Sequence, residues 1–188
     1  LAWNIDEQRV HFAGFLPDGM VWSNRVFLID EVKGMVYTCN GAATDEEKHL
    51  IRYDPTRNKH TLLDAHMPST VQINGKPDSP SPTLMRACTY HRGPDNLFYG
   101  ITHAGQLFSF DPESESVKDL GVAWPGEKRY TTSIERSPGG RYLYYLPGAH
   151  GEGAFEGSPL VQYDIQTGKL KVLAFLCPYW FEKYGYAP

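Results

Sequence analysis

The sequence predicts an all-β fold built from antiparallel four-stranded units, and three observations predict it. Aromatic residues make up 13% of the chain, together with 18 glycines and 14 prolines; this composition suits many short strands joined by tight turns. Apolar residues alternate with polar ones in short runs, as expected of half-buried strands. One strand–turn–strand pattern also recurs along the chain, which indicates an internal repeat.

The repeat is marked by an aromatic residue followed by Asp or Asn. It occurs in residues 49–63, 106–120 and 159–173, with a degenerate copy in 3–12. The marker residues Asn4, Asp54, Asp111 and Asp164 stand 50, 57 and 53 residues apart. In each copy alternating apolar residues favour a strand, and an Asp or Asn side chain can bond the backbone two residues on to reverse the chain. Each copy is therefore predicted to be a hairpin.

Two further strand candidates precede each complete copy of the hairpin. They lie at 26–29 and 35–38, at 85–89 and 97–100, and at 131–134 and 142–145. With the hairpins they define four-stranded units over residues 26–66, 84–122 and 130–176. We interpret residues 1–25 as the two outer strands of another unit plus a linker, and residues 177–188 as the start of a next unit or a tail.

A four-stranded unit that repeats about every 50 residues resembles the blades of the β-propeller superfamily, and the resemblance covers about residues 3–176. The blade pattern is similar to kelch and quinoprotein propellers, although neither the kelch double glycine nor the Trp-Asp of WD repeats recurs. The resemblance implies that this chain holds about three and a half blades. Because propellers close with about 4 to 8 blades, it also implies that the remaining blades come from a longer polypeptide or a second copy. A β-sandwich with coincidental spacing is the alternative.

Charge and hydropathy exclude two classes of partner. Eighteen basic and 22 acidic residues give a net charge of -4, without a basic block that could follow a phosphate backbone, so we expect no nucleic-acid ligand. No apolar run approaches the roughly 18 residues of a membrane span. The chain begins with Leu1, which indicates processing, truncation or an incomplete N-terminus. The compartment therefore stays open, and we favour an extracytoplasmic or secreted location.

The three cysteines, Cys39, Cys88 and Cys177, are far apart and form no CxxC motif. This spacing is untypical of zinc knuckles and of dense disulfide frameworks. We therefore expect buried free thiols, with one disulfide plus an odd thiol as the alternative.

The propeller resemblance also implies where a site would lie, because loops between second and third strands and loops that lead into innermost strands gather on one face. Those loops are residues 40–48, 68–83, 102–105, 123–130 and 147–157. His103 and His150 would then occupy equivalent positions beside small residues that let a ligand approach the backbone. The alternative is that both are solvated loop histidines. The catalytic candidates are His103, His150 and Tyr130, and the ligand-binding candidates are Arg86, Arg129, Asn40, Trp124 and Glu152.

These residue types favour a small polar or sugar-like ligand, because aromatic rings can stack on a sugar and Arg can bind a carboxylate through two hydrogen bonds. One concrete version resembles the propeller polysaccharide lyases, in which Arg would neutralise a uronate carboxylate while His or Tyr moves the protons of β-elimination. A divalent metal, held by the two histidines with Glu152 or Glu156, is an open alternative.

Two other enzyme classes are disfavoured. The sequence has no Gly-x-Ser-x-Gly elbow, which argues against a serine hydrolase, and it lacks the regular Trp and Gly signature of quinoprotein blades. The main alternative function is a noncatalytic protein-interaction scaffold. Residues 68–82, rich in Pro, Ser and Asn, would then form its contact arm.

Overall fold

The computed structural model describes residues 2–11, 26–39, 49–68, 84–148 and 156–185. Nearly all regular structure in these ranges is extended. The elements in chain order are β1 Ala2–Asn4, β2 Arg9–His11, β3 Leu28–Asp30, β4 Met35–Cys39, β5 His49–Asp54, β6 Lys59–His66, β7 Met85–Cys88, β8 Phe98–Thr102, β9 Gln106–Asp111, β10 Ser116–Val122, β11 Thr131–Arg136, β12 Tyr142–Pro147, β13 Pro159–Asp164, β14 Lys169–Phe175 and α1 Leu176–Tyr184.

The strands form three antiparallel sheets, each made of four consecutive strands: β3 to β6, β7 to β10 and β11 to β14. The strands β1 and β2 form a separate hairpin. The predicted fold class, an all-β arrangement of antiparallel four-stranded propeller blades, is confirmed. We call the three complete sheets the first, second and third blades. In a propeller the first strand of each blade is the innermost, so β3, β7 and β11 are the inner strands.

The four predicted hairpins share one turn geometry. At the mouth of each turn the paired residues are five positions apart: Asn4 with Arg9, Asp54 with Lys59, Asp111 with Ser116, and Asp164 with Lys169. The residue before the second strand has a positive φ in all four: Gln8 at 50°, Asn58 at 49°, Glu115 at 52° and Gly168 at 67°. In the three complete blades the Asp side chain accepts a hydrogen bond from the backbone N–H two residues on, at 2.9, 2.9 and 3.0 Å. The repeat therefore encodes an Asx turn that sets the hairpin register.

The core lies in the two seams between adjacent blades. In the first seam the buried Tyr37 of the first blade meets Phe110 of the second edge-on, with ring centroids 4.8 Å apart. In the second seam Ile101 of the second blade packs in one cluster with Ile134 and Val161 of the third. The second blade packs against the first blade on one face and against the third blade on the other. Because successive strand residues point to opposite faces, every residue of a strand in this blade can be buried. This explains why every residue of β8 is buried, whereas β13 alternates between buried and half-buried positions.

Ion pairs close both seams at the ends of the inner strands. Arg92 of the second blade bonds to the buried carboxylate of Asp30 in the first blade, and also to Glu113 at 2.8 Å. Arg136 of the third blade bonds to both carboxylate oxygens of Asp95 in the second blade at 2.8 Å each. Each blade is thus fastened to its neighbour by a charged pair as well as by apolar packing.

Residues after the third blade form the helix α1, where the sequence indicated the start of another blade or a tail. Pro178 lies in the first helical turn, where its missing N–H would be unpaired in any case. Gly185 ends the helix with φ at 68°, and its N–H donates to the carbonyl of Phe181 at 2.9 Å. The large aromatic residues of this segment are exposed on the helix; they are Tyr179, Trp180, Phe181 and Tyr184.

The three cysteines are free thiols, as expected, and no disulfide joins them. Cys39 and Cys88 are buried in the first seam, and Cys177 is half-buried. Burial, with a smaller contribution from nearby Cys39, raises the pKa of the Cys88 thiol to about 12. That thiol is therefore protonated and unreactive at neutral pH. Within the described ranges, no helix has both the length and the apolar character needed to cross a membrane.

Candidate functional site

Three of the predicted site residues meet at the junction of the second and third blades. Arg86 lies on the inner strand β7, His103 follows β8, and Tyr130 immediately precedes the inner strand β11. The Arg86 Cζ atom lies over the Tyr130 ring, 4.7 Å from its centroid. The His103 ring meets the same ring edge-on, with centroids 4.7 Å apart. We call Arg86, His103 and Tyr130 the Tyr130 cluster.

Two loops bring these side chains together. The loop after β8 is fastened by the His103 N–H, which donates to the Leu84 carbonyl at 2.7 Å. Gly105 in that loop has φ at 82°, and a Cβ at this position would stand 2.4 Å from the Arg129 Cβ. Only glycine gives both the left-handed backbone and the close approach. The sequence Thr102 to Gly105 therefore lets the two loops touch and sets His103 against Tyr130.

The charges in the Tyr130 cluster are unevenly satisfied. The Arg86 Nε atom is buried and has no hydrogen-bond partner among the residues that the structure describes. Burial, and then the positive charge of Arg86, lower the pKa of His103 below its ordinary value of 6.5. His103 is therefore a neutral imidazole at neutral pH, able to accept a proton. The cluster combines one fixed cation, one neutral base and one phenol.

Two predicted ligand-binding residues support the loop that carries Tyr130. Trp124 donates its indole N–H to Glu156 at 2.5 Å, and the Arg129 Nε donates to the Gly126 carbonyl at 2.9 Å. Glu156 also accepts the backbone N–H groups of residues 127 and 128, at 2.7 and 3.2 Å. Burial opposes ionisation of Glu156, but these hydrogen bonds outweigh it and hold the pKa of that carboxyl below its usual value. Glu156 thus acts as an anchor for residues 124–128.

Three of the site candidates, Asn40, His150 and Glu152, lie outside the described residues. In the part of the chain that the structure describes, no group of three or more His, Cys, Asp and Glu side chains could hold a metal ion.

A cleft that the sequence does not predict lies beside Arg86, between the inner strands β7 and β11. Thr132, Ser133, Glu135 and Tyr90 line it together with Arg86. Both inner strands carry a register shift here, at Arg86 in β7 and at Thr132–Ser133 in β11. We call this feature the strand cleft. The only signal in the sequence is the run of three hydroxyl residues at 131–133, which interrupts the apolar alternation.

No protein-family model and no curated protein matches the sequence. Solved structures do match. Hydrazine synthase of Kuenenia stuttgartiensis superposes on 78% of this chain with a TM-score of 0.51 and 13% identity. A nidogen/laminin complex gives 82%, 0.49 and 14%, and the extracellular domain of the putative one component system BT4673 from B. thetaiotaomicron gives 74%, 0.44 and 17%. This chain spans 36%, 48% and 15% of those chains, respectively.

The likeness to hydrazine synthase, at this identity, concerns the fold alone. Its propeller-like arrangement of antiparallel four-stranded sheets agrees with the three blades described above. The resemblance to kelch and quinoprotein blades has no support from a family match. By fold the described residues form an all-β array of propeller-type four-stranded blades, with the Tyr130 cluster and the strand cleft at the inner edge of two adjacent blades.

Proposed function

We propose that this propeller domain binds a small carboxylate-bearing sugar at the Tyr130 cluster. The observation that supports the proposal is the position of Arg86: its guanidinium lies over the Tyr130 ring, while its buried Nε has no partner in the described part of the chain. A buried donor without a partner costs roughly 1–3 kcal/mol. A carboxylate would remove that cost, and stacking on Tyr130 holds the planar fork ready for two parallel hydrogen bonds.

The neighbours of Arg86 suit a sugar acid better than a simple inorganic anion. Tyr130 offers an aromatic face and a hydroxyl, and neutral His103 offers a donor and an acceptor. Aromatic rings can stack against the C–H face of a sugar, and hydroxyls pair with imidazole and phenol groups. The cluster therefore offers partners for both the carboxylate and the hydroxyl-bearing ring of a uronate.

A catalytic version of this function is β-elimination of a uronate within a polysaccharide, the activity suggested by the resemblance to propeller lyases. Neutral His103 would take the proton from the carbon next to the carboxylate, while Arg86 stabilises the negative charge that develops on the carboxylate oxygens. The electron pair of the broken C–H bond forms a double bond, and the glycosidic C–O bond breaks. The leaving oxygen then receives a proton, which the Tyr130 hydroxyl can supply.

Calorimetric titration with D-glucuronate tests the binding proposal. We expect the wild-type protein to bind it, Arg86→Gln to weaken binding by about tenfold or more, and Tyr130→Phe to weaken it less, since one charge-assisted hydrogen bond contributes about 1.5–3 kcal/mol. Arg57→Gln is the matched control, because the Arg57 side chain is 76% exposed in the β5–β6 turn. Equal affinity of Arg86→Gln and the control would exclude this site.

The catalytic version is tested separately, by the ultraviolet absorbance of the unsaturated product formed from a uronate polymer. His103→Ala and His150→Ala should each abolish cleavage. Because the low pKa of His103 keeps it neutral, activity should persist at pH 6.5 and fall only at more acidic pH, where His103 becomes protonated. Cleavage that survives both substitutions would eliminate the lyase version and leave binding intact.

A noncatalytic interaction scaffold is the second candidate, and the exposed aromatic residues of α1 favour it. Trp180 is 44% and Phe181 59% exposed, and aromatic residues are enriched in protein interfaces. The predicted contact arm, residues 68–82, lies outside the described residues apart from Pro68. A partner that copurifies from the source should be lost on deletion of the arm or on Trp180→Ser. Retention of that partner in both variants would count against a scaffold.

A further inference from the structure

We propose that the ligand site extends from Arg86 into the strand cleft, and that this cleft binds donor groups of the ligand through Ser133, Thr132 and Glu135. The ligand class is then an acid that carries hydroxyl or ammonium donors opposite its carboxylate. This inference rests on the proposed function, because it places the carboxylate at Arg86.

The first argument is the position of the two bulges. Met85 pairs with Thr102 and Ala87 with Ile101, so Arg86 is an extra residue with no cross-strand partner. In β11, Thr131 pairs with Pro147 and Ile134 with Tyr145, so two residues face the single residue between those partners. A bulge leaves a residue outside the regular pairing and re-aims its side chain, and bulges are common beside active sites. Among the described inner strands, β7 and β11 both place polar bulge residues in the same cleft.

The second argument is the chemistry along the cleft. Thr132, Ser133 and Glu135 are exposed, while Thr131 and Ile134 of the same strand are buried. Exposed hydroxyls on a propeller's inner strand face a shared space with Arg86. The polar lining of the cleft is therefore a cation, two hydroxyls and a carboxylate, and they lie beside the apolar residues Val26, Ala87, Cys88 and Ile134. A ligand that satisfies these groups needs an anionic end followed by hydrogen-bond donors.

Three probes of similar size separate the possible ligands: D-glucuronate carries hydroxyls, 4-(aminomethyl)cyclohexanecarboxylate carries an ammonium group, and cyclohexanecarboxylate carries neither. We expect at least one donor-bearing acid to bind about tenfold or more tightly than cyclohexanecarboxylate. Glu135→Ala and Ser133→Ala should reduce that advantage several-fold each and leave the affinity for cyclohexanecarboxylate unchanged. Glu182→Ala, an exposed glutamate on α1, is the matched control.

The Glu135→Gln variant distinguishes a ligand that donates from hydroxyl groups from one that donates from an ammonium group. Glutamine keeps a carbonyl acceptor for a hydroxyl but loses the charge that an ammonium group requires, so a hydroxyl ligand should keep most of its affinity and an ammonium ligand should lose it. Circular dichroism of each variant checks folding, which these exposed side chains should not affect.

The failures of the two proposals look different. If Arg86→Gln weakens all three acids while Glu135→Ala and Ser133→Ala change nothing relative to Glu182→Ala, the strand cleft is not part of the site and binding at Arg86 stands. If none of the acids binds, or Arg86→Gln has no effect, both proposals are overturned.

Discussion

Arg136 holds Asp95 across the seam between the second and third blades through two parallel hydrogen bonds of 2.8 Å each. The same guanidinium lies over the ring of Tyr99, with its Cζ 5.1 Å from the centroid, and donates its Nε–H to the Gly140 carbonyl at 2.7 Å. The Arg136 side chain is only 12% exposed. This contact therefore positions the inner strand β11, and with it the strand cleft, against the second blade.

Removing the charge of Asp95 should weaken the seam in a way that depends on pH. Burial opposes ionisation of Asp95, but the hydrogen bonds from Arg136 and Tyr99 outweigh it and lower its pKa below 3.8. A carboxyl with a lowered folded-state pKa contributes stability that is present above its unfolded-state pKa and lost as pH falls through the folded-state value. We expect Asp95→Asn to lower the free energy of unfolding at pH 7 by about 1.5–3 kcal/mol.

The measurement is urea unfolding at pH 7 and pH 3. The gap between the wild type and Asp95→Asn should shrink at pH 3, because the Asp95 carboxyl is by then largely protonated in the unfolded state and the stability gained from its lowered folded-state pKa declines. Asp6→Asn, at an exposed residue of the β1–β2 turn, is the control and should match the wild type at both pH values. A gap of the same size at both pH values would show that ionisation of Asp95 does not contribute to stability.

Gly93 leaves the space in which the Arg136 guanidinium sits. A Cβ at residue 93 would lie 1.2 Å from the Arg136 Nη1, so Gly93→Ala must displace the end of that side chain from Asp95. We expect a destabilisation similar to that of Asp95→Asn. Because both substitutions break one contact, the double variant should lose much less than the sum of the two single losses. Additive losses in urea unfolding would mean that Gly93 acts by another route.

Glu156 should position the Tyr130 cluster through the loop that it anchors. Glu156→Ala removes the acceptor of Trp124 and of two backbone N–H groups, so residues 124–128 should loosen and affinity for D-glucuronate should fall about threefold to tenfold. Glu156→Gln keeps an acceptor oxygen and should restore part of the loss. Titration calorimetry and Trp124 fluorescence are read together; altered fluorescence with unchanged affinity would show that this loop does not position the site.

The hairpin of β1 and β2 should behave as the outer half of an incomplete blade. Its turn matches those of β5–β6, β9–β10 and β13–β14, but β5, β9 and β13 each pair on both edges, whereas β1 pairs only with β2 among the described strands. Amides on the other edge of β1 should therefore exchange with solvent much faster than those of β13. Hydrogen exchange measured at several protein concentrations checks this expectation.

Three results of that experiment are informative. Fast exchange at all concentrations fits inner strands supplied by a longer polypeptide. Adding a second copy of residues 131–147 ahead of Leu1 through a flexible linker should then slow exchange in β1, and Leu143→Pro within the added copy should cancel the effect. Protection that rises with concentration would instead indicate pairing between two copies, and full protection of the monomer would contradict an incomplete blade.

Much of the fold could be predicted because its signals are local. Asp54, Asp111 and Asp164 each bond a backbone N–H two residues away, so the turn, its register and the hairpin are encoded within a few residues. The inner strands are predicted by their place as the first strand candidate of each unit, and only in the first blade is that candidate, residues 26–29, a continuous apolar run. The helix α1 is not among the predicted elements: residues 177–188 are interpreted only as the start of a next unit or a tail, and aromatic residues favour strands on propensity alone.

The candidate site, too, is only partly predictable from the sequence. The sequence predicts the blade repeat, and the repeat predicts that the loops of His103 and Tyr130 lie on one face. The contact of Arg86 with Tyr130 comes from the packing of two blades, because Arg86 lies on a strand at a bulge. Packing between distant segments also makes Trp124 and Arg129 support a loop, since the partner of Trp124 is Glu156, 32 residues further along. The same packing makes Thr132 and Ser133 face a cleft with Arg86. A bulge is a mismatch between two paired strands, so neither strand's sequence shows it alone.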